Sequence, residues 1–511
     1  MKTLDELRRE IDRADKDLLK AYAARIAVAR QIGEVKRIEG KPVTDRTREE
    51  NKLKSLKAMS EPESTPYIEE LYEAIFATAR KHEEKTLFGV LGKSLPHTYS
   101  PLIHSLITDK YAYTVIEREE TEIEELWQQG KRGVYGGFNV TIPYKKTSFA
   151  MCDELTDSAK TAGAVNTVVF DKDGKSLGAN TDIYGFKFML ESEGIDVKGK
   201  TVLVLGTGGA AHAIKIALSD LGAGKILNCS RTGELNYTNV YEDAADTKII
   251  VNCTPVGMYP DVMESPVDVS KFQNLEAVCD IIYNPAMTKL LYDAGKLGLK
   301  TAGGLPMLVA QAFKSAQFFM GARSDAEAEA LVKTEDVKCV CNVLSRKMKN
   351  ITVIGMPGSG KTKFARELAS HLSREAVDLD DAFFEEYQRT AAETINLKGE
   401  DAFRREESAV ALKYLSGSGL VISCGGGIVT REENFFPLKC NSVVIYNERP
   451  LEVLAQEGRP LSAANGTQKL FEERRGAYEF LADMTIHVDG KENVQEFLKE
   501  AVAIYDENTC S

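Results

Sequence analysis

The octapeptide GMPGSGKT at residues 355–362 constrains this chain more than any other stretch. It fits the spacing GxxxxGK[ST] in full, follows the apolar run NITVIG and precedes KFARELASHL, which has helical periodicity. Such a loop needs a buried strand before it and a helix after it, because its backbone amides cradle phosphates at a helix N-terminus. An α/β fold is therefore expected around residue 355, with a nucleoside triphosphate as ligand. Gly355, Gly358, Ser359 and Gly360 form the cradle, Lys361 reaches the β and γ oxygens, and Thr362 ligates Mg2+. The loop lies two-thirds of the way along 511 residues, and it does not say what receives the phosphoryl group.

At about 150 residues per domain, the length predicts three or four domains, each with its own core. Three textures follow one another. Residues 1–85 are charged and helical, with a GKP break at 40–42, a second helix near 45–59 and a third from about 66 to 84. Residues 86–320 alternate short apolar runs with helical stretches, the pattern of a parallel sheet covered by helices. Residues 321–349 turn to Ala, Glu and Lys, which predicts a last helix plus linker before the strand-loop-helix alternation resumes at 350.

The net charge of −12 carries no long block of one sign, which argues against a general nucleic-acid or acidic-membrane surface. Anionic ligands must then be held by locally placed Arg and Lys. The nine cysteines contain no CxxC pair, and Cys339 and Cys341 are too close to form a zinc knuckle unaided, so reduced thiols are expected. The charged start MKTLDELRRE and the lack of any apolar run near ~18 residues predict a cytoplasmic protein with no membrane partner.

Between residues 4 and 35 the apolar seam follows a heptad: Leu4, Leu7, Ile11, Ala14, Leu18, Ala21, Val28, Ile32, Val35. Arg25 occupies a seam position and needs a negative partner, either a nearby carboxylate or a ligand. Arg8 and Lys36 share a flank but lie about 40 Å apart along one helix, so they hold one small ligand only if two antiparallel copies meet. A homodimer with two anion pockets follows. The run LRREIDRADKDLLKAYAARIAVARQIGEVK with PVTDRTREE resembles the all-helical chorismate mutase family over residues 1–85. The resemblance implies a cationic clamp of Arg8 (from the second copy), Arg25, Lys36 and Arg48, with Asp45 and Glu49 on the substrate's hydroxyl side. In ATARKHEEK the slot that many relatives fill with Gln holds Glu83, beside Ala79 and Arg80. A carboxylate donates a hydrogen bond only when protonated, so mutase activity is expected to fall as pH rises through roughly 5 to 8.

In KTVLVLGTGGAAHAI, Gly206, Gly208, Gly209 and Ala210 form a turn that lets backbone approach a pyrophosphate. The next strand, KILNCSR, ends not in an acid but in Ser230, Arg231 and Thr232, which suit the 2′-phosphate of NADP. Upstream stand LGKSLPHTYSPLIH, GGFNVTIPYKK, GAVNTV and GANTDIYGF; downstream stand NCTPVGM, DIIYNP and GGLPMLVAQAF. In this order they resemble shikimate dehydrogenase over about 86–320. The resemblance implies Lys145 and Asp182 as the proton-handling pair, with Thr141, Asn166 and Gln311 on the substrate hydroxyls and Tyr283 bordering the site. Thr98 and Ser100 take the two carboxylate-binding slots. The first slot is usually serine, so quinate turnover stays open.

After the phosphate loop, VDLDD places Asp378 and Asp380 two apart, expected at a strand end pointing the same way. GEDAFRREE supplies Arg404, SCGGGIV supplies Gly425, Gly426 and Gly427, and ERRGAY supplies Arg474. Two separated arginines with a carboxylate describe a pocket for a small polyhydroxylated acid. Together these resemble shikimate kinase over residues 350–508, with gluconate-type kinases as the nearest competitor. The resemblance implies Asp380 orienting the attacking hydroxyl, Asp378 holding Mg2+, and Arg459 as a lid arginine.

The expected architecture is an N-terminal all-α domain (1–85), a two-lobed α/β dehydrogenase (86–346) and an α/β P-loop kinase (349–508). The dehydrogenase divides into a substrate lobe (86–184), a Rossmann-type NADP lobe (185–320) and a terminal helix with linker (321–346). Three activities of aromatic amino-acid synthesis are expected. The alternative keeps the dehydrogenase and kinase active, with the helical segment as an inactive dimerisation or regulatory module.

Overall fold

The computed structural model describes residues 2–42, 44–96, 98–454 and 466–487. They form two compact units, one of residues up to 181 with 312–332, the other of 182–311 with 333 onward. Among the described residues no helix is long and apolar enough to cross a membrane. The eight described cysteines are all free thiols.

The first unit begins with helices Leu4–Ile38, Arg46–Met59 and Thr65–Glu84. Thr3 and Glu6 close a capping box on the first, which fixes where the helix starts. The face packed inside the chain runs through buried Ile26 and Ala29 and through Gly33, opposite Phe76, Ala79 and Glu83. A Cβ on Gly33 would lie 3.2 Å from the Glu83 Cα, so glycine permits the close approach. Arg37 donates to the carbonyls of Glu83 and Lys85, tying the first helix to the end of the third. Along the heptad seam, Leu4, Leu7, Ile11, Leu18, Val28 and Val35 remain exposed. The packed face is therefore rotated from the heptad seam.

Six strands complete this unit, in the order Ala112–Glu117, Leu87–Gly92, Gly137–Val140, Thr167–Phe170, Ser176–Ala179, Glu154–Leu155. The first three run parallel, and Thr167–Phe170 is antiparallel to both neighbours. Leu91, Phe138, Val140 and Val168 fill one face with Trp127 and Tyr135. The Tyr135 hydroxyl donates to Glu34 Oε1 at 2.6 Å, joining this lobe to the first helix.

The second unit holds two five-stranded, wholly parallel sheets. One orders its strands Lys300–Ala302, Ala277–Asp280, Ile249–Asn252, Thr201–Leu205, Lys225–Cys229. The other orders them Ala376–Asp378, Val421–Ser423, Asn350–Ile354, Ser442–Glu448, Met484–His487. The region expected to be one helix plus linker is instead two helices, Asp325–Ala330 and Thr334–Met348. The second buries Val337, Val340, Leu344 and Met348 and is followed at once by the strand Asn350–Ile354, because its apolar residues recur every three or four positions.

The two sheets' domains are docked on each other. Met287 N donates to Cys440 O at 2.8 Å, and Ala286 N to Asn441 Oδ1 at 3.2 Å. Val262, Phe436 and Cys440 form a buried apolar cluster across the junction, flanked by Tyr259, Tyr292 and Leu412. Asn441 is fully buried, and its carbonyl accepts from Asn350 N at 2.7 Å, at the start of the strand that leads into the phosphate loop.

Candidate active sites

In the helical domain, Arg25 lies with its guanidinium carbon 5.5 Å from the Phe76 ring centroid. Its Nη1 is buried without a hydrogen-bond partner. A buried donor left unmade costs about 1–3 kcal/mol, which an anionic ligand would recover. Lys36 Nζ donates to Glu83 Oε2 at 2.8 Å, and Arg80 Nη1 to both oxygens of Glu49 at 2.7 Å. Asp45 caps the second helix by accepting from Arg48 N at 3.0 Å, and Arg48 itself is exposed. Arg8 is exposed too and pairs with Asp5 at 3.5 Å. The structure thus brings Lys36 together with Glu83, and Glu49 with Arg80, while Arg8 stands on the far, exposed half of its helix.

In the substrate lobe, the Thr98 hydroxyl donates to Ser100 Oγ at 3.2 Å, at the start of the helix Ser100–Ile107. Thr141 N donates to Leu91 O at 2.9 Å, which sets Thr141 beside the end of strand Leu87–Gly92. Lys145 opens the helix Lys145–Met151, and its carbonyl accepts from Val165 N at 3.0 Å, next to Asn166. Asn166 is buried. Its Oδ1 accepts from Thr181 N at 2.8 Å and its Nδ2 donates to Thr181 Oγ1 at 3.1 Å. These bonds fix the amide's orientation.

In the second unit, Asp182 opens the helix Asp182–Ser192 and is buried. Gln311 donates from Nε2 to Leu308 O at 2.9 Å, and its Cβ lies 3.0 Å from where a Gly185 Cβ would stand. Gly206 has φ +106°, a conformation that favours glycine, and precedes the helix Gly209–Asp220 with Gly208 as its cap. A Cβ on Gly208 or Gly209 would meet nothing within 4 Å, so there is room above the helix N-terminus. Ala210 follows on the first turn. Ser230, half-buried, follows the strand Lys225–Cys229, and Arg231 and Thr232 beyond it are exposed. An open helix N-terminus with an exposed arginine at the neighbouring strand end fits a dinucleotide that carries an extra phosphate.

Sequence reasoning missed the residue that holds the Tyr283 loop. Asp280 is fully buried and accepts from Asn252 Nδ2 at 3.1 Å, Ile282 N at 3.0 Å and Thr288 Oγ1 at 2.8 Å. Burial pushes its carboxyl up to about 6, against the opposing pull of those hydrogen bonds. Its signal was an acid at the end of the apolar run AVCD, where a solvated end would equally place one.

Around the phosphate loop, Gly355, Gly358 and Gly360 all have positive φ, at +147°, +85° and +90°. Gly360 caps the helix Lys361–Leu372, and Ser359 is buried beside it. Lys361 is buried and donates to Met356 O at 2.8 Å. The Thr362 hydroxyl donates to Asp378 Oδ2 at 2.7 Å. Two hard oxygen donors in contact fit Mg2+, which takes few protein ligands beside phosphates and water. Among the described residues there is no group of three His, Cys, Asp or Glu that would hold a metal alone.

Asp378 ends the strand Ala376–Asp378, but Asp380 lies inside the helix Leu379–Tyr387 rather than on the strand. The two aspartates are therefore not neighbours on one face of a strand. Asp378 caps that helix through Oδ1, accepting from Asp380 N at 2.9 Å, which frees Oδ2 for Thr362. Burial first, and Asp378 second, raise the Asp380 carboxyl above its ordinary value.

The three glycines gather the rest. A Cβ on Gly425 would lie 2.6 Å from Glu407 Oε1 and 3.2 Å from Asp380 Oδ1. One on Gly426 would lie 2.6 Å from Pro357 Cδ in the phosphate loop, and one on Gly427 2.1 Å from Arg404 Nη1. Arg404 is buried, donates to Glu407 Oε2 at 2.7 Å, and keeps a buried Nε without a hydrogen-bond partner. Arg474 is buried and donates to Gly426 O at 3.1 Å. Glu407 was not anticipated, although it stands three residues after Arg404 and so on the same helical face. Arg459 lies outside the described residues.

Comparison with known proteins matches three family models in chain order. They are chorismate mutase type II over residues 7–84, the shikimate dehydrogenase substrate binding domain over 90–168, and shikimate kinase over 357–504. A shikimate dehydrogenase (NADP(+)) of Clostridium perfringens is 37% identical over 273 residues, covering 50% of this chain and 98% of that protein. One from Caldicellulosiruptor bescii is 39% identical over 259 residues, covering 45% and 88%. A solved chorismate mutase/shikimate 5-dehydrogenase fusion protein from Clostridium acetobutylicum is 33% identical, covering 51% of this chain and 97% of that one, with a TM-score of 0.47. The chain therefore belongs, through its middle, to the NADP-dependent shikimate dehydrogenase family, and carries a chorismate mutase domain before that part and a shikimate kinase domain after it.

Proposed function

We propose that this polypeptide reduces 3-dehydroshikimate to shikimate with NADPH, phosphorylates shikimate at the 3-hydroxyl with ATP, and rearranges chorismate to prephenate. The domains divide at 1–85, 86–346 and 349–508. The observation that carries the reading is the triple-glycine turn. It sets Asp380, Glu407, Arg404 and the phosphate loop around one point, and Arg474 donates to its Gly426 carbonyl. Only an acceptor with both a carboxylate and hydroxyls uses that set fully.

In the kinase, Arg404 and Arg474 bind the acceptor's carboxylate, and Asp380 takes the proton of the attacking hydroxyl. Lys361 and the loop amides hold the transferring phosphoryl. Thr362 and Asp378 would hold Mg2+, which when bound neutralises charge on the phosphates. In the dehydrogenase, Thr98 and Ser100 bind the carboxylate, and Thr141, Asn166, Tyr283 and Gln311 the ring. Lys145 gives its proton to the ketone oxygen, with Asp182 orienting the ammonium, while NADPH supplies hydride. Gly206, Gly208, Gly209 and Ala210 carry the pyrophosphate; Ser230, Arg231 and Thr232 carry the 2′-phosphate.

In the mutase, Arg25, Lys36 and Arg48 grip the dianion, with Arg8 supplied by a second copy. The exposed seam of Leu4, Leu7, Ile11 and Leu18 supports a homodimer along the first helix. The protein works in the cytoplasm on these small molecules. Three separate assays on the intact chain and on a chain lacking residues 1–85 test the whole reading. Shikimate 3-phosphate should form from 3-dehydroshikimate, NADPH and ATP with both chains, and prephenate from chorismate only with the intact one. A dimer that lacks mutase activity would leave the helical segment as a dimerisation module.

A further inference from the structure

The kinase sheet places Asp380 and the triple-glycine turn, both assigned to the phosphoryl acceptor, on one side of its central strand, while Arg474 reaches the Gly426 carbonyl from the helix Thr467–Leu481 on the other. Asn350–Ile354 leads into the phosphate loop. The strands Val421–Ser423 and Ala376–Asp378, which lead to Gly425–Gly427 and to Asp380, lie to one side; Ser442–Glu448 and Met484–His487 lie to the other. All five strands are parallel, so their C-terminal ends share one edge. A triphosphate with its γ end toward Asp380 must therefore run its nucleoside over the ends of Ser442–Glu448 and Met484–His487.

The first residue beyond Ser442–Glu448 is Arg449. It is half-buried, its Nε is buried without a hydrogen-bond partner, and no ion pair forms on it among the described residues. Its Nη1 lies 3.9 Å from where a Cβ of Gly360 would stand, at the cap of the phosphate-loop helix. The strand end is also wired to the loop, since Asn447 Nδ2 donates to Ser359 O at 3.1 Å. The nearest acid at that strand end, Glu448, is 2.7 Å from His487 Nδ1. A half-buried guanidinium with an unmade donor, next to a phosphate loop and on its nucleoside side, is incomplete without a ligand.

On the kinase reading, we propose that Arg449 is a nucleotide-binding residue, its planar guanidinium stacking on the purine base of ATP. Lysine lacks that plane, so it does not substitute. The test measures dissociation constants for ATP and for inorganic tripolyphosphate by calorimetry, on the intact wild-type chain and on Arg449→Ala and Arg449→Lys. Dehydrogenase turnover serves as the control for folding. Both variants should bind ATP about tenfold more weakly while tripolyphosphate stays within about twofold. Unchanged ATP binding in Arg449→Ala overturns the assignment. Equal weakening of tripolyphosphate, or rescue by Arg449→Lys, overturns the stacking role in favour of a phosphate contact. Failure of the kinase reading is separate: the wild-type chain would then yield no shikimate 3-phosphate whatever the variants bind.

Discussion

Replacing Gly427 with alanine puts one methyl carbon where Arg404 already is. Its backbone φ is −101°, so alanine is not strained there and the whole effect is steric. The new carbon would sit 2.1–2.2 Å from Nη1, Cζ and Nη2 of Arg404, well inside contact distance. The guanidinium is the end of a flexible side chain, but it is 6% exposed and held by Glu407 at 2.7 Å and Glu400 at 3.3 Å. To admit the methyl it must leave that position, and with it the geometry offered to an acceptor carboxylate. A charge-assisted hydrogen bond contributes about 1.5–3 kcal/mol, so losing one lowers kcat/KM for shikimate roughly 10- to 150-fold. A coupled assay that follows ADP release, varying shikimate and ATP in turn, separates the two substrates. The KM for ATP should change less than about twofold, and dehydrogenase turnover on the same sample should be unaffected. An unchanged kcat/KM for shikimate would refute the placement of Arg404 in the acceptor site.

Other perturbations follow the same logic. Glu83→Gln should raise mutase kcat/KM several-fold at pH 8, read from chorismate disappearance, because an amide can donate to the ether oxygen and a carboxylate cannot. Arg231→Ala should lower the ratio of kcat/KM for NADPH to that for NADH by roughly tenfold; an unchanged ratio would place the 2′-phosphate elsewhere. Asp280 binds its proton more tightly folded, near pH 6, than unfolded, so its contribution to stability falls as pH rises from about 4 to 6. Denaturant titrations of Asp280→Asn against wild type should differ in slope over that window by on the order of 2 kcal/mol. Parallel curves would mean that the carboxyl is not held as described.

The phosphate loop, the glycine turn at 206–209 and the three textures were legible because each is a local pattern with one backbone solution. The N-terminal helix was legible as a helix but not in its packing. A heptad of exposed leucines and the face through Ile26, Ala29 and Gly33 are both compatible with one amphipathic sequence. Asp378 and Asp380 were read as strand neighbours, because nothing in VDLDD marks that Asp378 caps a helix beginning at Leu379. Glu407 and Asp280 were hidden for a different reason. A buried acid is recognised by what surrounds it, and those surroundings come from strands and helices far off in the chain. The docking of the NADP lobe on the kinase was equally hidden, since Val262, Phe436 and Cys440 read as ordinary core residues.

That docking changes how damage to this protein would be diagnosed. The backbone of Met287, four residues past Tyr283, hangs on the carbonyl of Cys440, and Asn441 serves both domains at once. A lesion at Asn441 would loosen the loop that carries a dehydrogenase residue, although a gene map would assign it to the kinase. Conversely, severing the chain near Lys349 to obtain two tidy halves would lay bare the apolar surfaces of Val262 and Phe436 on separate molecules. The halves of such a cut should be less soluble than the whole, and an auxotroph carrying a single substitution here should fail two complementation tests rather than one.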